Sequence, residues 1–150
     1  MAGFWQAFFQ KVFHKVTNTY SSKQLALAIP FGVLLGLSPL LSIQALFCVV
    51  CATVFRINFV IFIFAGLIFS VVSYVLYPII NVIGEYLLTY DPFIPLFTAL
   101  YQFNFFKLLQ WHHTYTFGAF VTSLIFFIPF YVLGLKFFKG PIIKKLKQES

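Results

Sequence analysis

Six residues between positions 66 and 85 recur at helical spacing and could form a chemically useful stripe. They are Gly66, Ser70, Ser73, Tyr77, Asn81 and Glu85. Steps of three and four residues place them on one face of a helix. Such a face could be a polar groove that binds a lipid head group or conducts a proton, or it could serve helix packing. We favour packing for Gly66 and Ser70, and both interpretations stay open for Asn81 and Glu85, since ionisable groups near the membrane interface cost little.

Two further pairs have spacings found in redox or metal sites. Cys48 and Cys51 form a CxxC pair, but they lie in an apolar run, where burial makes thiols inert, so we expect them to serve packing. His112 and His113 are adjacent, so on a helix their side chains point in different directions and do not suit one metal ion. The sequence also lacks a catalytic triad, a phosphate-binding loop and a dinucleotide fingerprint. We therefore expect no enzymatic activity, no metal and no other cofactor.

The composition of the chain favours a membrane protein. Of its 150 residues, 61% are hydrophobic and 9% are charged, which is too little polar surface to cover a water-soluble globule. The net charge of +7 does not indicate nucleic-acid binding, because the basic residues cluster towards the ends without the aromatic interleaving of such surfaces. We expect an all-α, polytopic helical membrane protein with a single membrane domain over residues 1–150, embedded in phospholipid.

Hydrophobic periodicity and breaks divide the chain into six segments. These are an amphipathic interfacial helix over 3–17, a helical hairpin over 24–55, a long kinked helix over 59–89, an interfacial segment over 92–113, a last spanning helix over 117–138 and a basic cytoplasmic tail over 139–150. Aromatic residues and lysines near the chain ends are expected to contact the lipid surface. The residues concerned are Trp5, Lys11, Lys15, Lys144 and Lys145.

Ser38 and Pro39 interrupt the hairpin segment and predict its turn, because proline removes a backbone donor and serine can satisfy a freed group. Each arm has about 15 residues, or about 22 Å as helix, whereas a bilayer core is about 30 Å thick. The arms are therefore either two short spans or a re-entrant hairpin. At the junction that follows, we expect Arg56 to end one helix and Asn58 to cap the next. The other expected caps are Ser21 or Ser22 for the first arm of the hairpin and Thr114 or Thr116 for the last helix.

Small residues line one face of each hairpin arm. The first arm has Ala28, Gly32 and Gly36, and the second has Ala45, Cys48 and Ala52. Small residues allow the backbones of two helices to approach closely in lipid. We therefore expect these two faces to pack against each other in a tight hairpin.

The distribution of charge predicts the orientation of the chain. Nine of the ten basic residues fall on one side of the expected topology, whether the hairpin spans or re-enters, and Lys107 is the exception. The positive-inside rule makes that side cytoplasmic, with both termini on it.

The pattern AxxxGxxxGxxP from Ala28 to Pro39, followed by Arg56-x-Asn58 and Gly84, resembles a family of small bacterial membrane proteins known as domain of unknown function 2062. The resemblance covers residues 20–137 and includes the last span near Gly118. Members typically carry an Asn-Pro pair in the third helix, where this chain has Phe69-Ser70. The family implies a location in the bacterial inner membrane and no assigned enzymatic activity.

Two functional hypotheses follow. The first is a non-enzymatic subunit or anchor that stabilises a larger envelope complex in the inner membrane, one that handles lipid for example. The alternative is a small transporter or channel that forms a homo-oligomer and uses the polar groove of the helix over 59–89.

Overall fold

A computed structural model describes residues 2–39, 41–109 and 113–140. Within those ranges the chain is all-α, as the periodicity predicts, and it contains no β-strand. The helices are α1 (Ala2–Thr19), α2 (Ser22–Leu37), α3 (Ile43–Val54), α4 (Phe59–Thr89), α5 (Ile94–Leu100), α6 (Asn104–Leu108) and α7 (Thr114–Lys139), and a 3-10 turn at Asp91–Phe93 joins α4 to α5.

Two of these helices are much longer than the others. The 31 residues of α4 and the 26 residues of α7 are long and apolar enough to cross a membrane, and each continues through an internal proline. By contrast, α2 and α3 have 16 and 12 residues, or about 24 and 18 Å as helix. The expected segment 92–113 contains the short helices α5 and α6, while 110–112 and the basic tail from 141 onwards lie outside the described residues.

The helix α2 lies between α4 and α7 and packs against both. It runs parallel to α4, because Gly32 meets Ala65 and Gly36, one turn later, meets Ser70. Ten of the 16 residues of α2 are buried, more than in any other described helix, and α2, α4 and α7 together form a three-helix core.

The helix α7 runs antiparallel to α4. Gly118, in the second turn of α7, meets Ile80, whereas Phe130, three turns later, meets Phe69 with 5.2 Å between the ring centroids. The carboxyl end of α7 therefore lies beside the amino ends of α4 and α2.

The structure pairs the small residues of α2 with a different helix from the one expected. We expected Gly32 and Gly36 to face α3, but both approach α4. A Cβ atom on Gly32 would lie 2.6 Å from the Cβ of Ala65, and one on Gly36 would collide with the carbonyl oxygen of Gly66. The longer α4 carries small residues at matching positions, so its backbone can approach α2 more closely.

The helix α3 packs beside α2 through the remaining small residue of that face. Ala28 shares a buried cluster with Cys48 and Ala52, and its other members are Phe31, Leu34, Ile57 and Phe62. Ala45, on the first turn of α3, is also buried. The small face of α3 therefore points inward, but it meets Ala28, Phe31 and Leu34 of α2, while the glycines face α4.

Side chains satisfy the free backbone groups at the amino ends of three helices, as helix ends require. Ser21 and Gln24 form a capping box at α2. Ser42 accepts from the N–H of Ala45 in α3, and Asn58 accepts from the N–H of Ile61 in α4 at 2.9 Å. The cap at Asn58 is the one expected from the sequence.

The turn between α3 and α4 is a Schellman motif with an arginine at its left-handed position. Arg56 has φ of 49°, its N–H donates to the carbonyl of Thr53, and the N–H of Ile57 donates to that of Ala52, both at 3.1 Å. The side chain of Ile57 is buried, so the motif fixes α3 and α4 to the core. Glycine is the usual residue here, because a side chain in this conformation is strained.

Large apolar side chains cover the outside of the bundle. In the most apolar 18-residue window, 17% of α4 and 28% of α7 are buried inside the chain. Exposed positions include Phe64, Leu67 and Val71 on α4 and Ile128 on α7. Such a surface is the reverse of that of a water-soluble globule and matches helices whose solvent is lipid.

Candidate functional site

The polar stripe expected on the helix 59–89 does not face one common space. Its first two members lie against α2: Gly66 contacts Leu35, and the backbone of Ser70 contacts Gly36. These two residues are part of a helix–helix interface, as we favoured from the sequence.

The middle of the stripe meets α7 through two tyrosines. The rings of Tyr77 and Tyr115 stack with their centroids 4.9 Å apart. The hydroxyl of Tyr115 donates to the carbonyl of Leu37, at 2.9 Å. Ser73 donates its hydroxyl to the carbonyl of Ser70, one turn earlier in α4. Tyr115 thus supplies a partner for a carbonyl at the end of α2, which a helix ending inside a bundle requires.

The stripe ends in contacts with the first turn of α7. Thr114 donates its hydroxyl to the amide oxygen of Asn81. Gly84 and Gly118 make this contact close, since a Cβ on Gly84 would collide with the carbonyl of Thr114 and one on Gly118 with that of Ile80. We call Ser73, Tyr77, Asn81, Thr114 and Tyr115 the polar seam.

Glu85 is the one carboxylate of the stripe, and its side chain is exposed, as is that of Tyr77. It lies one turn beyond Asn81, near the end of α4 at which Asp91 follows. The structure therefore separates the one carboxylate of the stripe from the neutral residues of the polar seam.

The chemistry of the polar seam is hydrogen bonding between neutral groups. Thr114 bonds to Asn81 and Tyr115 bonds to the carbonyl of Leu37, and bonds of this kind fix the register of two helices. Among the residues that the structure describes, no group of three or more His, Cys, Asp or Glu side chains is placed to hold a metal ion.

The other candidate residues are dispersed. Cys48 and Cys51 are free thiols, the first buried and the second half-buried, on the face of α3 that packs into the core. His113 precedes α7, and His112 lies outside the described residues. On α1, Trp5 is exposed, as are Lys11 and Lys15. Lys144 and Lys145 lie outside the described residues.

The turn between α2 and α3 contains the expected Ser38, and just after it lies Gln44, a residue that the sequence analysis did not single out. Ser38, at the expected turn, donates its hydroxyl to the carbonyl of Leu34 at 2.5 Å, next to Pro39. Gln44, on the first turn of α3, is 2% exposed, and neither polar atom of its side chain has a partner among the described residues. The sequence did contain a signal for Gln44, namely a polar residue on the first turn of an otherwise apolar helix, just after the Pro39 turn.

Thr114 and Tyr115 were also not identified from the sequence as partners of the stripe. We expected Thr114 or Thr116 to cap the last helix, but α7 begins at Thr114, whose hydroxyl bonds to Asn81 instead. The signal was present in the spacing: Thr114 and Gly118 are four residues apart, as a close-packed face requires.

The fold and the polar seam define an all-helical bundle with two helices of membrane-spanning length and an apolar outer surface. Within that class, the chain belongs to the bacterial family DUF2062, described as an uncharacterized protein conserved in bacteria, whose model matches residues 6–147. The resemblance suggested by Ala28, Gly32, Gly36 and Pro39 is therefore confirmed. No curated protein and no solved structure matched the chain in the comparisons.

Proposed function

We propose that this protein is a non-enzymatic, multi-pass subunit of the bacterial inner membrane that anchors or stabilises a larger envelope complex. One observation carries the proposal: apolar side chains cover the outside of α4 and α7, while Thr114 and Tyr115 form hydrogen bonds that join α7 to α4 and α2. A chain built in this way can pack in lipid and support a partner without forming a site of its own.

The contacts of the polar stripe with α2 and α7 argue for an anchor over a transporter. A conduit along α4 would need its polar stripe to line an open path. Instead, Gly66 and the backbone of Ser70 pack against α2, Asn81 bonds to Thr114, and the half-exposed ring of Tyr77 stacks on Tyr115. The carboxylate of Glu85 is exposed at the end of the stripe and is not among the groups that bond α4 to α7.

The orientation follows from charge. The basic residues Lys23, Arg56, Lys136 and Lys139 lie at helix ends that meet at one end of the bundle, whereas Glu85 and Asp91 lie at the other end of α4. We propose that the basic end is cytoplasmic. The hairpin of α2 and α3 enters from this side and turns beside the middle of α4, since Gly36 meets Ser70; we propose that it is re-entrant.

Cross-linking in native membranes followed by detergent purification tests the proposed role. We expect a larger envelope protein to co-purify in stoichiometric amount. Recovery of the chain alone, with or without cross-linker, would argue against the anchor. As a test of the alternative, Glu85→Gln in liposomes should leave any solute or proton flux unchanged, and loss of a measured flux would support a transporter.

A further inference from the structure

Four exposed cations of the described residues lie at three helix ends. Lys23 is in the first turn of α2, Arg56 is in the turn before α4, and Lys136 and Lys139 are in the last turn of α7. Each carries a full positive charge on an exposed side chain. The four cations form a single charged surface only if the three helix ends come together.

Packing brings the three helix ends to one place. The hydroxyl of Ser22, which begins α2, donates to the carbonyl of Phe138 in α7, at 3.4 Å. Phe138 is buried with Leu25 of α2, and Ile61 of α4 packs against the same cluster. The four cations therefore belong to one end of the bundle, which we call the basic end.

The described acids cannot neutralise the basic end. Glu85 lies near the far end of α4, and Asp91 follows that helix. A helix of 31 residues is about 46 Å long, several times the distance over which salt leaves exposed charges interacting. Among the described residues, no acid therefore neutralises the positive charge of the basic end.

Apolar surface continues directly from the basic end. Phe55 and Phe59 flank Arg56 in sequence and are exposed, and Phe137 is exposed between Lys136 and Phe138. A partner that matches both features has an anionic group joined to hydrocarbon. A free phosphate or an acidic peptide would match the charge but would leave the phenylalanines uncovered.

The conformation of Arg56 gives an independent reason to look here. Its φ of 49° is the left-handed position of a Schellman turn, where glycine is favoured and a side chain is strained. Strain of this kind occurs where a side chain is needed for a function. The guanidinium group binds phosphate through two parallel hydrogen bonds, which an ammonium group cannot reproduce.

We propose that the basic end binds the head groups of anionic phospholipids, with Arg56 as the central ligand of the phosphate. Lys23, Lys136 and Lys139 add electrostatic attraction around it, and Phe55, Phe59 and Phe137 contact the acyl chains. The proposal rests on the membrane location proposed above and names the lipid class that the protein selects there.

Native mass spectrometry of the purified full chain tests the proposal, after equilibration in nanodiscs with equal amounts of phosphatidylglycerol and phosphatidylethanolamine. The wild type should retain phosphatidylglycerol in preference. Arg56→Gly should lower that preference about fivefold, the effect of one basic residue near a charged surface. Because glycine suits the left-handed turn, this variant keeps the fold and its result remains interpretable.

Two further variants complete the test. Arg56→Lys keeps the charge but loses the two parallel hydrogen bonds, so its preference should lie between that of the wild type and that of Arg56→Gly. Lys107→Gln, which removes a charge on α6 away from the basic end, should leave the preference at the wild-type value. Equal retention of both lipids by the wild type, or an undiminished preference in Arg56→Gly, would overturn the proposal.

The outcomes also separate this inference from the proposed function. If the protein spans the membrane but shows no lipid preference, only the head-group site is refuted. If it folds in water without an amphiphile, both the head-group site and the proposed membrane function are refuted. If an acidic polypeptide occupies the basic end and no phosphatidylglycerol is retained, the lipid proposal is wrong and a protein interface replaces it.

Discussion

The two halves of α4 form their contacts in different ways. The first half meets α2 through backbone packing, where Gly32 and Gly36 leave room for Ala65 and Gly66. The second half meets α7 through a similar glycine contact and also through side-chain bonds of the polar seam. Close packing without polar groups supplies contact area, whereas hydrogen bonds between helices add a fixed register.

Gly36→Leu should have the largest effect, because its side chain would collide with the backbone of α4 at Gly66 and Ser70. We expect a loss of roughly 3 kcal/mol or more in the free energy of unfolding. Thermal unfolding in detergent, followed by reaction of the buried thiol of Cys48 with a dye, measures it. Gly3→Leu is the matched control, since a Cβ atom on Gly3 would meet no other atom within 4 Å. Equal stability of the two variants would rule out the close α2–α4 contact.

Gly118→Ala should have the next largest effect on stability, because a methyl group there meets the carbonyl of Ile80 and the backbone nitrogen of Gly84. We expect a loss of about 2 kcal/mol, within the range for overpacking. The same assay applies. A neutral result would show that α4 and α7 lie farther apart than described and that the polar seam is open.

Tyr115→Phe should have an intermediate effect, because it leaves the carbonyl of Leu37 without its partner while retaining the ring stack on Tyr77. An unpaired buried polar group costs about 1–3 kcal/mol. Tyr74→Phe is the control, since Tyr74 is 82% exposed and should tolerate the change. If both variants unfold at the wild-type temperature, Tyr115 does not cap α2.

Arg56→Gly should have the smallest effect and the opposite sign. Replacing a strained left-handed arginine with glycine should raise the free energy of unfolding by about 1 kcal/mol. Asn58→Ala, two residues later, removes the cap of α4 and should lower it by about 1 kcal/mol. Destabilisation by Arg56→Gly would contradict the strained turn and show that the arginine side chain holds the junction together.

The sequence predicted local features better than the pairing of helices. The caps at Ser21 and Asn58 depend on residues within three positions, so they could be recognised directly. The partner of Gly32 and Gly36 could not, because α2, α3 and α4 each carry small residues four apart. Their pairing is decided by which helix is long enough to stay in contact, and this is a property of the whole bundle.

The polar stripe shows a second limit of sequence-based prediction. Helical spacing correctly aligned Ser73, Tyr77 and Asn81, but it does not say what covers them. Their partners, Thr114 and Tyr115, lie more than 30 residues away in a segment where we expected only a helix cap. Gln44, buried without a partner among the described residues, gives no periodic signal at all.

Site-directed labelling tests the central claim most directly, namely that the bundle crosses the membrane with its basic end in the cytoplasm. In a background without Cys48 and Cys51, Asp91→Cys and Lys139→Cys place a single thiol at opposite ends. A membrane-impermeant maleimide added to intact spheroplasts should label Asp91→Cys at once and Lys139→Cys only after permeabilisation. Labelling of both from outside, or of Lys139→Cys alone, would contradict the proposed orientation.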